Sequence, residues 1–496
     1  MTLSRRNFIA GALGTVAVGA GGAIGLSVRQ RGGEPIGAGA IAAAEKARKS
    51  SGTIRNFTLK AQPLDVDLGG RTVRTWAYGD QLMGAPLRAT AGDRVKVAFS
   101  NALPQPTSVH WHGLAIRNDM DGVPGVTTPE VGAGRDFAFD FIVPNAGTHW
   151  FHPHTGLQLD RGLYSPFIID DPNEPSKYDA EWVVMLDDWT DGIDLSPDQH
   201  YAKLIADGKA AAKDNSGMGM GGMGMGGMNS MSMDGGDVAY SMYLINGRPT
   251  NDPAMFAAKP GQRIRLRLIN ASADTIYDVA LANHTLTITH TDGYPVRPLQ
   301  TSNLRIGMGE RYDITLSLAD GVFPLVARPV GKSGLARALV RTASGSAPAA
   351  GFIPSELKGY ATTIGQLRAG QGSGLKARTP DSTQDLILSG SMAPYVWMIN
   401  DNTYENTVPL TIREGTLTRL RLRNMTMMPH PIHIHGHSFQ LGAAGGAGPR
   451  KDTVLVAPMD GLDIDLLGDN PGKWMVHCHN AYHAEAGMMT RLDYLA

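Results

Sequence analysis

Apolar and polar residues alternate along three stretches of the chain, 92–101, 261–270 and 415–424, and each stretch runs from a glycine to an asparagine. Alternation with period two is typical of a half-buried β-strand, and the glycine marks the turn at its start. The stretches lie a domain length apart, which favours three copies of one β domain over a solenoid of shorter period. No long stretch has a 3.6-residue period, so we predict an all-β chain built from three β-sandwich domains.

The length of the chain agrees with this organisation, because its 496 residues amount to three domains at about 150 residues each. We place the domains at residues 51–172, 173–343 and 381–496. The segment 344–380 is rich in Ala, Gly and Ser and is interpreted as a linker.

An insertion at residues 217–236 differs from the rest of the second domain. It consists of Gly, Met, Ser, Asn and Asp, with seven methionines between Met218 and Met233. Glycine at this density predicts a mobile loop. Thioether sulfur is a soft ligand that selects Cu(I), so we interpret the loop as a segment that captures Cu(I). The alternative is a spacer that tolerates methionine.

The N-terminus has the pattern of an export signal. Arg5 and Arg6 precede a Gly- and Ala-rich apolar run from about Phe8 to Leu26, which is typical of a twin-arginine signal. We assign residues 1–40 to this signal and leader and expect export to the periplasm. The alternative is a transmembrane anchor, but the glycine content of the run favours a signal, so no permanent membrane span is expected.

Charge and cysteine content exclude several classes of protein. Lys and Arg number 45 against 46 Asp and Glu, for a net charge of −1, which gives no electrostatic footprint for nucleic acid or an anionic membrane. The single cysteine, Cys478, cannot form an internal disulfide. It is either an inert core residue or a residue with its own chemistry.

Histidines concentrate in His-x-His pairs. Because residues i and i+2 of a strand face the same side, each pair can present two imidazoles to one site. Eight imidazoles are too many for one metal ion and suit a cluster of two or three. The four pairs are His110 with His112, His152 with His154, His433 with His435, and His477 with His479.

Cys478 lies between His477 and His479 and should therefore face a second site. That site can use His430, His483 and Met488, and two His, one Cys and a weak axial Met describe a blue-copper centre. The alternatives are scattered structural histidines and zinc, but a structural zinc site closes with four ligands, whereas this set offers twelve.

These motifs resemble those of the multicopper oxidases, the family of laccases and bacterial cuprous oxidases. The resemblance implies three cupredoxin-like Greek-key sandwiches and four copper ions. It implies that substrate is oxidised in one-electron steps at a type 1 copper, near an exposed edge of His483 or His430, and that Cys478 carries electrons to a three-copper cluster that reduces O2 to water. By position, the type 1 ligands would be His430, Cys478, His483 and Met488, the type 2 ligands His110 and His433, and the type 3 ligands His112, His152, His154, His435, His477 and His479.

Two carboxylates are candidates for delivering protons to such a cluster. Asp121 lies eleven residues after His110, where similar bacterial enzymes place such an acid; the alternative is a turn residue before Gly122. Glu485 is the second candidate, although some family members carry the acid at the position of Ala484.

The electron donor is left open between two enzymatic functions. The Met-rich loop and the export signal favour a cuprous oxidase that serves copper tolerance, and the alternative is a laccase-like oxidase of phenols or aromatic amines. Copper storage without catalysis and a structural relative without copper are less compatible with a complete ligand set. The resemblance also implies a monomer, since three-domain members are often monomeric.

Overall fold

The computed structural model describes residues 37–174, 177–217, 235–442 and 445–496, with only the backbone at 214–217. The predicted signal and the seven methionines of the predicted loop lie outside these residues. The first described element is helix α1 (Ala38–Ala47), so it begins inside the range assigned to the leader. Among the described helices, none is both long and apolar enough to cross a membrane.

The first domain is a pair of four-stranded sheets, ordered β2-β1-β4-β6 and β3-β8-β7-β5. Its strands are β1 (Ile54–Asp67), β2 (Thr72–Tyr78), β3 (Leu87–Thr90), β4 (Arg94–Asn101), β5 (His110–His112), β6 (Asp136–Ile142), β7 (Gly147–His152) and β8 (Ser165–Asp170). Short 3-10 turns at Asn118–Met120 and Gln158–Arg161 follow the two strands that carry histidines.

The second domain pairs a seven-stranded sheet with a five-stranded one, ordered β11-β10-β9-β13-β18-β15-β16 and β12-β20-β19-β14-β17. Its elements are β9 (Ala180–Trp189), α2 (Pro197–Gly217), β10 (Met242–Ile245), β11 (Arg248–Pro249), β12 (Ala254–Ala257), β13 (Arg263–Asn270), β14 (Tyr277–Leu281), β15 (Leu286–Thr291), β16 (Tyr294–Thr301), β17 (Leu304–Ile306), β18 (Arg311–Ser317), β19 (Val322–Pro329) and β20 (Ala336–Arg341). Helix α2 leads into the Met-rich insertion.

The third domain pairs a six-stranded sheet with a five-stranded one, ordered β22-β21-β24-β29-β26-β27 and β23-β31-β30-β25-β28. Its elements are β21 (Ser382–Met392), β22 (Tyr395–Ile399), β23 (Leu410–Arg413), β24 (Leu417–Asn424), β25 (His430–Ile434), β26 (Phe439–Leu441), β27 (Arg450–Lys451), β28 (Thr453–Val456), β29 (Gly461–Leu467), β30 (Lys473–Cys478), α3 (Ala481–Glu485) and β31 (Met489–Leu495). Before it, the segment predicted as a linker contains 3-10 turns at Ser355–Lys358 and Ile364–Gln366.

The three repeated stretches form equivalent strands. Strands β4, β13 and β24 each pair in parallel with the first strand of their domain, β1, β9 and β21. The closing asparagines Asn101, Asn270 and Asn424 have the same function. Each side chain accepts a backbone N–H two residues on, and it donates to one carbonyl of the following loop and to another about 30 residues farther along the chain. The prediction of an all-β chain with three sandwich domains is confirmed.

Packing joins the second and third domains more closely than the first. One continuous core of buried side chains runs through both of them, from Val184 to Tyr494, and it includes Leu157 of the first domain. The first domain has its own core, in which Trp111 is fully buried among Phe139, Phe141 and Phe151. Burial of such aromatic rings is a main source of sandwich stability, and it fixes the strand that presents His110 and His112.

Candidate metal centre

Four strands bring the predicted histidine pairs together from the first and third domains. Strands β5 and β7 of the first domain pair so that His110 lies opposite His152. Strands β25 and β30 of the third domain pair so that His433 lies opposite His477. The imidazoles of the two domains meet at the domain boundary, and we call the eight residues the His-rich centre: His110, His112, His152, His154, His433, His435, His477 and His479.

The His-rich centre contains three groups whose ring nitrogens lie within 4.8 Å of one another, each drawn from both domains. These are His110 with His112 and His433, His112 with His152 and His479, and His154 with His435 and His477. Three of the four His-x-His pairs divide their members between two groups, whereas His110 and His112 share the first group and His112 also belongs to the second. Such grouping suits several metal ions in one site.

The nitrogen atoms of this centre fit a metal. Within the described part of the chain, Nε2 of His110, His152 and His433, Nδ1 of His112 and both nitrogens of His479 are buried without a hydrogen-bond partner. Three Nε2 atoms face each other, with His477 3.1 Å from His435 and 3.3 Å from His154. Buried polar atoms are rarely left unpaired without a reason, and imidazole nitrogen is a preferred ligand of copper and zinc.

The protonation state also suits metal binding, which requires neutral imidazole. Burial, followed by the neighbouring imidazoles, lowers the pKa of His152, His154 and His479 well below its usual range. Burial likewise lowers the pKa of His477 to about 3. These rings therefore carry free lone pairs at neutral pH.

Asp121 lies inside the centre and touches a histidine from each domain. It is fully buried, with Oδ2 3.0 Å from Nδ1 of His435 and Oδ1 3.2 Å from Nδ1 of His110. The backbone carbonyl of Asp121 also accepts from His110 Nδ1 at 2.9 Å. The carboxylate thereby orients Nε2 of both rings toward the centre.

Asp452 is a second buried carboxylate at the centre, which the sequence analysis did not find. Its Oδ1 lies 3.3 Å from Nε2 of His112 and 3.5 Å from Nδ1 of His433. Burial alone would raise the pKa of Asp452, but the Arg311 guanidinium holds it well below its usual range. No spacing in the sequence marks this residue, because its partners come from three different domains.

Cys478 faces a separate group, as its alternation with His477 and His479 predicts. Its Sγ lies 3.7 Å from Nδ1 of both His430 and His483, and these two nitrogens are 3.0 Å apart. Met488 is fully buried beside them, and its carbonyl accepts the Cys478 N–H at 3.0 Å. We call these four residues the Cys478 centre. The Trp397 ring packs over the His483 ring with centroids 4.1 Å apart. This contact restricts rotation of the His483 imidazole.

The outer edges of both imidazoles in the Cys478 centre are covered. His483 Nε2 lies 3.0 Å from Asp237 Oδ2, and His430 Nε2 lies 2.7 Å from the Thr426 hydroxyl. Burial alone would lower the pKa of His483, but Asp237 raises it to about 10. Both rings are fully buried, so the prediction of an exposed edge on His483 or His430 is wrong. Loops of the second and third domains close over these edges.

Glu485 lies at a cavity that reaches the His-rich centre. The cavity has a volume of about 90 Å³ and is lined by His154, His477 and His479 together with Glu485 of helix α3. The Glu485 carbonyl accepts the hydroxyl of Tyr201 from helix α2 at 3.1 Å. The candidate acid therefore lines the same cavity as three histidines of the His-rich centre.

The predicted Met-rich loop lies between two described segments that reach the Cys478 centre. On its N-terminal side, Tyr201 of helix α2 contacts helix α3. On its C-terminal side, Asp237 contacts His483 and accepts the Tyr395 hydroxyl at 2.5 Å. The C-terminal end of the insertion therefore directly precedes Asp237, which contacts His483.

Comparison with known proteins gives concordant matches over most of the chain. Three family profiles, each described as multicopper oxidase, match residues 60–174, 180–345 and 377–495. Multicopper oxidase MmcO of Mycobacterium tuberculosis is 48% identical over 99% of this chain and 97% of its own length. A copper resistance protein A homolog of Pseudomonas syringae pv. tomato is 28% identical over 88% of this chain and 92% of its own length.

A solved structure supports the fold. The crystal structure of the laccase from Botrytis aclada superposes with a TM-score of 0.73 at 23% identity, covering 90% of this chain and 88% of that one. At this identity the likeness concerns the arrangement of the three β-sandwich domains.

Proposed function

The chain belongs to the multicopper oxidase family of copper-dependent oxidoreductases, and from this premise we propose that it oxidises Cu(I) with O2 to protect against copper. We further propose that it acts as a monomer in the periplasm after twin-arginine export. The name of the Pseudomonas relative, a copper resistance protein, supports the link to copper tolerance.

We assign the ligands of four copper ions by the groups described above. The Cys478 centre would hold the type 1 ion. His110 and His433 would hold the type 2 ion, His112, His152 and His479 one type 3 ion, and His154, His435 and His477 the other. When bound, the four ions supply the one-electron oxidation of substrate and the four-electron reduction of O2 to water. The unpartnered buried nitrogens support this set.

Strand β30 provides the connection between the two centres. Cys478 belongs to one centre, and its neighbours His477 and His479 belong to the other. The Cys478 carbonyl also accepts a hydrogen bond from His477 Nδ1 at 2.8 Å. The backbone and this hydrogen bond give two short routes along which an electron leaving the sulfur reaches a ring of the His-rich centre.

Protons would reach the centre from two sides. Asp121 contacts His110 and His435 directly, and Glu485 lies at the cavity beside His154 and His477. A carboxyl group at hydrogen-bond reach of the reacting region is suited to pass protons. We propose that Asp121 holds protons near the ligands and that Glu485 relays them from the cavity.

The choice of Cu(I) as donor rests on the contact between Asp237 and His483. The buried carboxylate of Asp237 lies 3.0 Å from Nε2 of His483, a proposed type 1 ligand. A buried negative charge at this position attracts a cation. The Met-rich insertion, a source of soft thioether ligands, ends directly before this residue. His483 is fully buried among the described residues, which favours a small ion over a donor that must lie on the edge of this ring.

Dioxygen uptake with two donors tests this choice. Deletion of residues 216–236 and the Asp237→Asn variant should each lower turnover of Cu(I) while sparing a small phenol. For Asp237→Asn we expect a loss of about tenfold or more, the effect of removing one buried charged contact. The phenol serves as internal control, because both donors use the same centres. Equal loss with both donors, or a preference of the unaltered protein for the phenol, would assign a laccase-like activity instead.

A further inference from the structure

We infer that Asp452 and Arg311 form a clamp through which the second domain, which supplies none of the proposed ligands, fixes His112 and His433 in the His-rich centre. The inference rests on the proposed function, because it concerns the assembly of the proposed three-copper site. In this account both are positioning residues.

The first part of the clamp is the pair of contacts that Asp452 makes with histidines of two domains. Oδ1 of Asp452 is 3.3 Å from Nε2 of His112, and the carbonyl of Asp452 accepts from Nδ1 of His433 at 2.9 Å. The Thr453 hydroxyl lies 3.1 Å from both of these ring nitrogens and donates to Asp452 Oδ1 at 2.8 Å. One nitrogen of each ring is thereby occupied, and the other, Nδ1 of His112 or Nε2 of His433, is free for metal.

The second part of the clamp is the set of hydrogen bonds from the second domain to Asp452 and Thr453. Arg311 is fully buried and donates from both terminal nitrogens to the two oxygens of Asp452, each at 2.6 Å. A bidentate pair of this kind fixes the plane of the carboxylate as well as its position. Asp292 of the same domain accepts the backbone N–H of Thr453 at 3.1 Å, so both the side chain and the backbone of this turn are held.

The glycine after His112 leaves the space that Arg311 occupies. A Cβ on Gly113, the residue after His112, would lie 2.3 Å from Nη2 of Arg311. The absence of a side chain there lets the guanidinium pass beside the strand that carries His112. A buried pair of charges is a weak source of stability, which argues that this pair is kept for the geometry it imposes.

The arrangement repeats that of Asp121 on the other side of the centre. Asp121 contacts His110 and His435, whose rings lie 3.8 Å apart, and Asp452 contacts His112 and His433, whose rings stack at 3.9 Å. Each carboxylate therefore serves one histidine of the first domain and one of the third. The two differ in that Asp452 has Arg311 as a fixed cation, which keeps it an acceptor.

Copper binding by variants of the full-length protein tests the clamp. Arg311→Lys keeps the charge but loses the bidentate geometry, and Thr453→Val removes one hydroxyl at constant size. We expect each to weaken copper binding at the His-rich centre by about 10- to 100-fold, as loss of a residue that orients a ligand does. The Cys478 centre, followed by its blue thiolate absorption, should change by less than about twofold. Thr453→Ser, which restores the hydroxyl, should recover the affinity.

Arg419→Lys is the matched control. Arg419 forms the same bidentate pair with a buried carboxylate, Asp465 at 2.8 and 3.0 Å, in the third domain. Copper per chain is measured by dialysis against graded chelator, with electron paramagnetic resonance to resolve the centres.

Two results would overturn the clamp: retention of copper at the His-rich centre in both Arg311→Lys and Thr453→Val, or an equal loss in Arg419→Lys. If Arg311→Lys does not fold, the comparison of Thr453→Val with Thr453→Ser tests the clamp by itself. A wild-type protein that binds copper only at Cys478 would instead contradict the proposed function, so the two failures are distinguishable.

Discussion

Replacing Asp121 by asparagine should weaken one side of the His-rich centre more than the other. The carboxylate accepts from His435 at 3.0 Å and lies 3.2 Å from His110. His110 keeps a second acceptor in the Asp121 backbone carbonyl at 2.9 Å, which the substitution does not remove. His435 Nδ1 has no such replacement among its described contacts, so its ring loses orientation.

The size of the effect follows from one charge-assisted hydrogen bond in a fully buried position. Such a bond contributes about 1.5–3 kcal/mol, which corresponds to roughly 10- to 150-fold in an equilibrium constant. We therefore expect copper affinity at the group of His154, His435 and His477 to fall by that factor. Dioxygen uptake should fall at least as far, because the substitution also removes a carboxyl proton donor.

Asp119→Asn is the control for this prediction. Asp119 lies in the 3-10 turn directly before Asp121 and pairs with Arg117, with its side chain 43% exposed, and it contacts no histidine in the described structure. Copper affinity is measured by chelator competition and turnover by an oxygen electrode. If Asp121→Asn stays within about twofold of Asp119→Asn in both assays, the positioning role of Asp121 is refuted.

Two further substitutions test other parts of the account. A Cβ on Gly309 would lie 2.7 Å from Cδ2 of His479 at φ +80°, whereas one on Gly261, at φ +79°, meets nothing within 4 Å. Gly309→Ala should therefore lower copper affinity at least about tenfold more than Gly261→Ala, and equal affinities would contradict the contact. Burial raises the pKa of Asp188 to about 6, against an opposing effect of Lys332. Because the folded state then binds this proton more tightly than the unfolded state, Asp188 favours folding below about pH 4, and this contribution is lost as the pH rises through 6. The free energy of unfolding of Asp188→Asn relative to wild type should thus rise by about 2 kcal/mol between pH 4 and pH 7, and a constant difference in denaturant titrations would refute this.

The spacing of residues along a strand was enough to predict which side chains of the site face the same way. Alternation along a strand separates Cys478 from His477 and His479, and the structure places them in different groups. The strand positions of the three repeats follow from the same alternation, because a half-buried strand leaves this pattern wherever it occurs. The fold class was therefore readable from residues 92–101, 261–270 and 415–424.

Contacts between residues of different domains could not be predicted from the sequence. Asp452 and Asp237 are single aspartates without a motif, and their importance comes from partners 340 and 246 residues away in the chain, His112 and His483. The burial of His483 has the same origin, since a side chain's exposure depends on which loops pack over it.

The ratio of O2 consumed to Cu(I) oxidised tests the central claim most directly. Reduction of O2 to water takes up four electrons and four protons, so the copper-loaded protein should consume about one O2 for every four Cu(I) ions and release no hydrogen peroxide. Cys478→Ser, which keeps the His-rich centre but removes the sulfur that connects it to the donor, should lose this turnover. A ratio of one O2 to two Cu(I) with peroxide as product, or full turnover in Cys478→Ser, would contradict the account.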